Sequence, residues 1–423
     1  MNIYKFGGAS VKDAASVKNV AHILQHFAAG NTIVVISAMG KVTNALEKLA
    51  DAVFYKNEAS APILEEIKKY HFDIVKELFP SPQHPIFNEL NNTFVELDWA
   101  IEDELTANYD YEYDKIVSMG EIISTKIVNA YLNEIGIPSK WWDARDVIQT
   151  DNTYREGKVN WELTQELVSQ KLLPQFSASG NNIIITQGFI GGTSENFTTT
   201  LGREGSDYTA AILAFTTNAR GVMIWKDVPG VLNADPKWFD ETKKLDHLSY
   251  QDAIELAYYG ASVIHPKTIK PLQNKKIPLF VKSFLEPEKK GTAISELPSE
   301  PAIPCFIFKV NQVLISISPK DFSFINEENF ASIFQLFAEK NIKINLMQNS
   351  AISFSVSIDY DARKFPDLLQ TLQKDYRVLY NENVELITIR YYDQATIDRV
   401  LIGKKALLEV KSRQTVQLVV KNM

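Results

Sequence analysis

Short apolar runs, largely β-branched, recur at residues 33–36, 182–186, 222–225 and 278–281. Each is nearly continuous, the pattern of a strand covered on both faces in a parallel sheet rather than one with a wet face. Between them the apolar positions shift to helical spacing at 13–28, 44–55, 115–134, 161–172, 208–217 and 250–258. The alternation predicts a three-layer α/β/α domain over 1–290 with a mostly parallel sheet, whose ligands gather at the carboxyl ends of strands. Segment 61–107 breaks the rhythm. Its long helical runs, interrupted by Pro80-Ser-Pro-Gln-His-Pro85, read as a helical insertion or lid.

Prolines at 287, 298, 301 and 304 mark a boundary, and a different pattern follows. Strands are expected at 313–318, 342–347, 351–358 and 376–380, with helices at 328–340 and 361–374. That order, β-α-β-β-α-β, is an α+β ferredoxin-like unit over 304–381. The tail, 382–423, has further strand-like runs and one short helix candidate, too few for a second complete copy.

Composition narrows the classes. Hydrophobic content of 45% and charged content of 23% are those of a globular protein, and a net charge of −8 argues against a nucleic-acid partner. No run approaches the roughly 20 apolar residues of a membrane helix, so no membrane role is expected. The start, Met-Asn-Ile-Tyr-Lys-Phe, has no secretory apolar run, and a single cysteine, Cys305, cannot form an internal disulfide. The expected compartment is the cytoplasm. His22 and His26, four apart on the first helix, lack a third ligand and read as a solvated face, so no protein metal site is expected.

Candidate chemistry concentrates at strand ends. Residues 201–207, Leu-Gly-Arg-Glu-Gly-Ser-Asp, precede a helix. Glycines let amides approach an anion, and the helix start adds unpaired N–H groups. Asp207, an acid among anion-binding groups, must hold a cation or a lysine that itself touches phosphate. Lys5-Phe-Gly-Gly-Ala-Ser10 sits at the first strand-to-helix turn, either a phosphate cradle or a plain tight turn. Ser37 and Thr43 follow the second strand and either orient a small polar substrate or, for Thr43, cap a helix. Glu121, inside a helix among apolar neighbours, needs a substrate ammonium or an internal salt bridge. Lys226, Asp227, Asp235 and Lys237 crowd both signs of charge into a proline- and glycine-shaped loop fit for a nucleotide. His265 reads as a helix-start residue, and Tyr109–Asp114 as a surface loop. Neither Gly-x-x-x-x-Gly-Lys-Ser/Thr nor Gly-x-Gly-x-x-Gly is present, which removes the main support for P-loop and dinucleotide folds.

Five ordered motifs resemble aspartate kinases of the amino acid kinase family. They are Lys-Phe-Gly-Gly-Ala-Ser, Ser-Met-Gly-Glu, Thr-Gln-Gly-Phe-Ile-Gly, Thr-Thr-Thr-Leu-Gly-Arg-Glu-Gly-Ser-Asp-Tyr-Thr-Ala-Ala and Lys-Asp-Val-Pro-Gly-Val. The resemblance implies transfer of the γ-phosphoryl of ATP, with Mg²⁺ held mainly through the phosphates, to the β-carboxylate of L-aspartate. It implies that Lys5, Gly7, Gly8 and Ser10 meet the phosphates and that Asp207 organises lysines and metal. Arg203 would clamp a substrate carboxylate and Glu121 receive the ammonium, with Ser37, Thr43 and Ser206 completing the pocket. Lys226, Asp227, Leu232, Lys237 and Ser262 would line the nucleotide. Ser262 stands where relatives often carry lysine, a role left to Lys267 or Lys270, and Leu232 and Lys237 stand where tyrosine and arginine are common. The C-terminal region resembles ACT regulatory domains and implies a homodimer. Asn345 and Ala351, uncharged where relatives have acids, imply weak or absent inhibition by lysine. Other readings are an amino acid kinase acting on glutamate or acetylglutamate, and a non-catalytic amino-acid sensor of the same fold.

Overall fold

The computed structural model describes residues 1–56, 60–102, 105–178, 182–239, 241–261, 264–299, 302–321 and 323–423. The chain forms two compact units. One is Met1–Val231 with Lys244–Ile254 and Val263–Ser299, the other Leu232–Lys243 with Glu255–Ser262 and Glu300–Met423.

The first unit contains β1 (Asn2–Phe6), β2 (Thr32–Ile36), β3 (Ser139–Trp142), β4 (Ile183–Gln187), β5 (Ile190–Gly192), β6 (Thr198–Thr200), β7 (Gly221–Lys226), β8 (His247–Ser249), β9 (Leu279–Ser283) and β10 (Thr292–Ser295). Eight of these make one sheet in the order β3-β4-β2-β1-β7-β9-β10-β8, with helices on both sides. The pairs from β3 to β9 are parallel, and β10 is antiparallel to β9. β2 and β4 are buried at every position, as their unbroken apolar runs require. Phe6 lies level with Ile36 and Trp225, and Ile36 with Gln187, so β1, β2, β4 and β7 end along one edge. Polar Lys5 stands one residue before the end of β1, and Ser37, Gln187 and Lys226 are the last or next residues of the other three.

Helix Gly205–Thr217 starts at that edge. It runs between two left-handed residues, Glu204 (φ 54°) and Asn218 (φ 48°), and is buried almost throughout. Two glycines bring backbones together here. A β-carbon on Gly188 would stand 2.4 Å from Ser206 Cβ, and one on Gly8 would stand 2.8 Å from the carbonyls of Ala38 and Gly40. Helices Ser60–Leu78 and Pro85–Glu102 occupy the segment whose pattern broke the α/β rhythm. The first buries Leu64, Ile67, His71, Ile74 and Leu78 on one stripe, and Pro85 opens the second where no N–H is needed. The stretch expected as a surface loop, Tyr109–Asp114, is instead the start of helix Tyr109–Val117, capped by Asn108 and burying Glu112, Tyr113 and Asp114. His265 caps helix Pro266–Lys275, its ring accepting from Lys267 N at 3.1 Å. No helix among the described residues is long and apolar enough to cross a membrane.

The second unit is a six-stranded antiparallel sheet of β11 (Cys305–Pro319), β12 (Ile344–Asn349), β13 (Phe354–Asp359), β14 (Tyr376–Arg390), β15 (Lys404–Lys411) and β16 (Thr415–Asn422). The order is β12-β13-β11-β14-β16-β15. Helices Glu327–Glu339 and Phe365–Asp375 cover one half through Ile333, Phe337, Leu368 and Leu372 against Val313, Ile315, Val356 and Ile358. The two long strands change register near left-handed Asn311 and Asn383. Beyond that bend, Cys305–Lys309 pairs with the last residues of β14, which pair in turn with β16. The tail therefore shares its sheet with the start of β11, and helix Gln394–Val400 packs Ile397 and Val400 on Phe306, Ile387 and Leu418.

Candidate active site

A cavity of about 840 Å³ opens at the strand-end edge of the first unit. Its wall brings together Lys5, Ser37, Thr43, Glu121, Arg203, Ser206, Asp207 and Lys226, drawn from four strand ends and three helices. Asp207 lies at its centre of charge. Its carboxylate is 2.7 Å from Lys5 Nζ and 3.3 Å from Lys226 Nζ, with a side chain only 3% exposed. Burial opposes ionisation, yet the two ammonium groups hold the carboxyl below the usual carboxylate range. The acid thus fixes a pair of cations at the positive end of a helix, an arrangement suited to an anion with several oxygens.

Glu121 makes no ion pair with a described side chain. Its Oε1 accepts from Ala38 N at 3.1 Å, and Oε2 is buried with no partner. Burial pushes its carboxyl up to about 8, against that amide and the charge of Lys5. A buried carboxylate oxygen without a donor costs about 1–3 kcal/mol or more. A ligand ammonium placed there would relieve that cost and restore the charge. Thr43 lies in the first turn of helix Val42–Phe54 and does not cap it, since Lys41 occupies the cap position.

Other expected residues lie elsewhere. Gly7 stands behind Lys5, a β-carbon there falling 3.4 Å from Nζ, and Gly8 abuts the Ala38–Gly40 turn. Ser10 does not face the cavity. It is 1% exposed, held inside the turn Gly8–Val11 by its amide on Gly7 O at 2.9 Å. Asp227 is exposed on the turn after β7 and contributes nothing to the wall. Leu232 and Lys237 belong to segment Leu232–Lys243 of the second unit, and Ser262 lies outside the described residues.

The sequence reading missed part of the wall: Glu47, Asp110, Tyr113, Arg155, Glu156 and Glu204. Behind it, Asp114 is fully buried and accepts from Thr200 Oγ1 (2.7 Å), Thr200 N (2.9 Å) and Arg155 N (2.8 Å). Burial pushes its carboxyl up to about 6 against those three donors. Glu204 and Arg155 are both left-handed without being glycine, a signal that no residue pattern in the sequence exposes.

An α/β/α sheet with paired lysines on a helix-start aspartate is the framework of a protein built to hold phosphate groups. The amino acid kinase family profile matches residues 1–283. Lysine-sensitive aspartokinase 3 of Escherichia coli K12 is 31% identical over 397 residues, 92% of this chain and 86% of that protein. Aspartokinase 1, chloroplastic, of Arabidopsis thaliana is 31% identical over 398 residues, 92% of this chain and 68% of that one. Among solved structures, E. coli aspartokinase III in complex with aspartate and ADP (R-state) superposes with a TM-score of 0.83 at 28% identity, covering 99% of this chain and 96% of that one. The same enzyme with lysine and aspartate (T-state) gives 0.82 at 28% identity, covering 99% and 95%. The chain belongs to the amino acid kinase family, in its aspartokinase branch.

Proposed function

We propose that this pocket carries out ATP-dependent phosphorylation of L-aspartate, joining the β-carboxylate to the γ-phosphoryl group to give 4-phospho-L-aspartate. The observation that carries the reading is Asp207 clamped between Lys5 and Lys226, in one cavity with Arg203 and the unpartnered oxygen of Glu121. Two anions must meet in this reaction, so the protein contributes alignment and positive charge rather than proton transfer. Lys5 and Lys226 neutralise phosphoryl oxygens, with the Gly7 and Gly8 amides behind them. Arg203 grips a substrate carboxylate through its planar fork. Glu121 takes the ammonium, and Ser37, Thr43 and Ser206 supply hydroxyls to the same ligand.

Both Asp207 oxygens are engaged by lysine. Mg²⁺ would be held mainly through the phosphates of the nucleotide, neutralising their charge, with Asp207 ordering the two lysines beside them. Two copies associate through the second unit, where Leu379, Met347, Ile352 and Tyr380 are 43–61% exposed. The reaction is cytoplasmic in this reading, in keeping with one free cysteine.

The decisive experiment is ADP release with MgATP and each of aspartate, glutamate and acetylglutamate. Aspartate-dependent ADP release with trapping of an acyl phosphate is the expected result. Preference for glutamate would move the protein to another kinase of the family, and no turnover with any acid would make it a binding protein.

A further inference from the structure

Arg155 lies on the cavity wall within a loop that the proposed roles leave unused. Its backbone is left-handed, φ 65°, a conformation glycine takes freely and other residues take at a cost. The backbone is also pinned. Its amide donates to buried Asp114, whose carboxylate holds Thr200 at the end of β6, just before Gly202 and Arg203. The two arginines are thus mounted on one rigid support.

The Arg155 side chain, by contrast, is loosely held. Its guanidinium lies 4.3 Å from the Tyr113 ring centroid and 5.8 Å from that of Tyr109. Its acid partner is Asp110 at 3.3 Å, and the two side chains are 46% and 52% exposed. Such a pair contributes little and exchanges readily. The platform beneath it is firm, because Tyr113 Oη donates to Glu47 at 2.6 Å.

Lys5 and Lys226 are engaged by Asp207, which leaves Arg203 and Arg155 as the other cations among the described residues of the wall, for a substrate with two carboxylates. Resting on the reading of this pocket as an aspartate site, we propose that Arg155 is a second substrate-binding arginine. It takes the carboxylate that Arg203 does not, and Asp110 holds its place until the substrate displaces it. A planar fork on an aromatic face suits that exchange better than an ammonium would.

Steady-state kinetics of Arg155→Gly, Arg155→Lys and Asp110→Asn test it. Glycine suits φ 65°, so Arg155→Gly should fold at least as stably as the wild type while KM for aspartate rises about tenfold or more and kcat falls less than about threefold. Arg155→Lys recovers part of that loss. Asp110→Asn, which frees the guanidinium, lowers KM for aspartate by about two- to threefold. Arg155→Gly within about twofold of the wild-type KM, or Asp110→Asn raising KM, overturns the proposal. Calorimetric titration of aspartate into the wild type and Arg155→Gly reads the contact without turnover. Weaker binding by the variant in a protein that turns over no aspartate would overturn the kinase reading and keep the contact, whereas equal affinities would remove the contact alone.

Discussion

Two polar clusters built around buried side chains, one in each unit, end differently. In the second unit Lys309 Nζ donates to Asn345 Oδ1 (2.8 Å), Asn345 Nδ2 to Gln312 Oε1 (2.9 Å), and Gln312 Nε2 to Asp359 Oδ1 (2.6 Å). Each of these side chains has a partner, and the run ends on exposed Asp359. In the first unit Lys5 and Lys226 ion-pair with Asp207, but Asp207 Oδ1, Glu121 Oε2 and Glu204 Oε2 are all buried without a hydrogen-bond partner. A closed network fixes a fold, whereas an open one carries a standing cost that a bound ligand can repay. The contrast supports the proposed binding at the first cluster and an architectural role for the second.

Removing the open cluster's cation should have the largest effect. Lys5→Ala is expected to lower kcat by about 10³-fold or more, read in a coupled assay on protein of unchanged circular dichroism, and near-normal turnover would refute the phosphoryl contact. Next comes Glu121→Gln, with KM for aspartate up about 100-fold and KM for ATP little changed. The wild type should also show a pH signature. Below about pH 8 Glu121 carries a proton that the incoming ammonium must displace, so KM for aspartate rises as pH falls, and Glu121→Gln loses that dependence.

His71 tests whether every orphaned polar atom marks a ligand. Its Nδ1 lies 2.7 Å from Ile67 O, its Nε2 has no partner, and burial lowers its pKa from 6.5 to about 4. The folded state resists protonation, so the stability it confers is complete above pH 6.5 and lost as pH falls toward 4. That is a loss of about 3 kcal/mol in full, of which about 2 falls between pH 7 and pH 5, visible in urea unfolding at those two pH values and flattened in His71→Leu. Activity should not follow it, because the cavity wall does not include His71. The smallest effect belongs to the closed cluster. With the Asn345 oxygen already taken by Lys309, low millimolar lysine should inhibit turnover little, and Asn345→Asp should shift stability by no more than about 1 kcal/mol. Strong lysine inhibition of the wild type would show that this cluster opens.

What was legible in the sequence was local. Continuous apolar runs give β2 and β4, and an acid among phosphate-binding groups calls for a cation or a lysine, where Asp207 has two lysines. Helix Tyr109–Val117 was hidden because its acidic and aromatic surface looks like loop composition, although Asn108 caps it. Asp114 reaches Thr200 across 86 residues, and no spacing rule reports such a contact. The resemblance places Ser10 at the phosphates, whereas the tight Gly8–Val11 turn buries it.

The bend at Asn311 and Asn383 also constrains the order of events during synthesis. Cys305–Lys309 emerges early, but its neighbours in the sheet are the last residues of β14, made only after both helices of the preceding half. That half can close its own core first and bring the two long strands side by side. The opening stretch of β11 waits meanwhile as an unpaired edge, so a ribosome paused before Arg390 would display a strand available to the wrong partner.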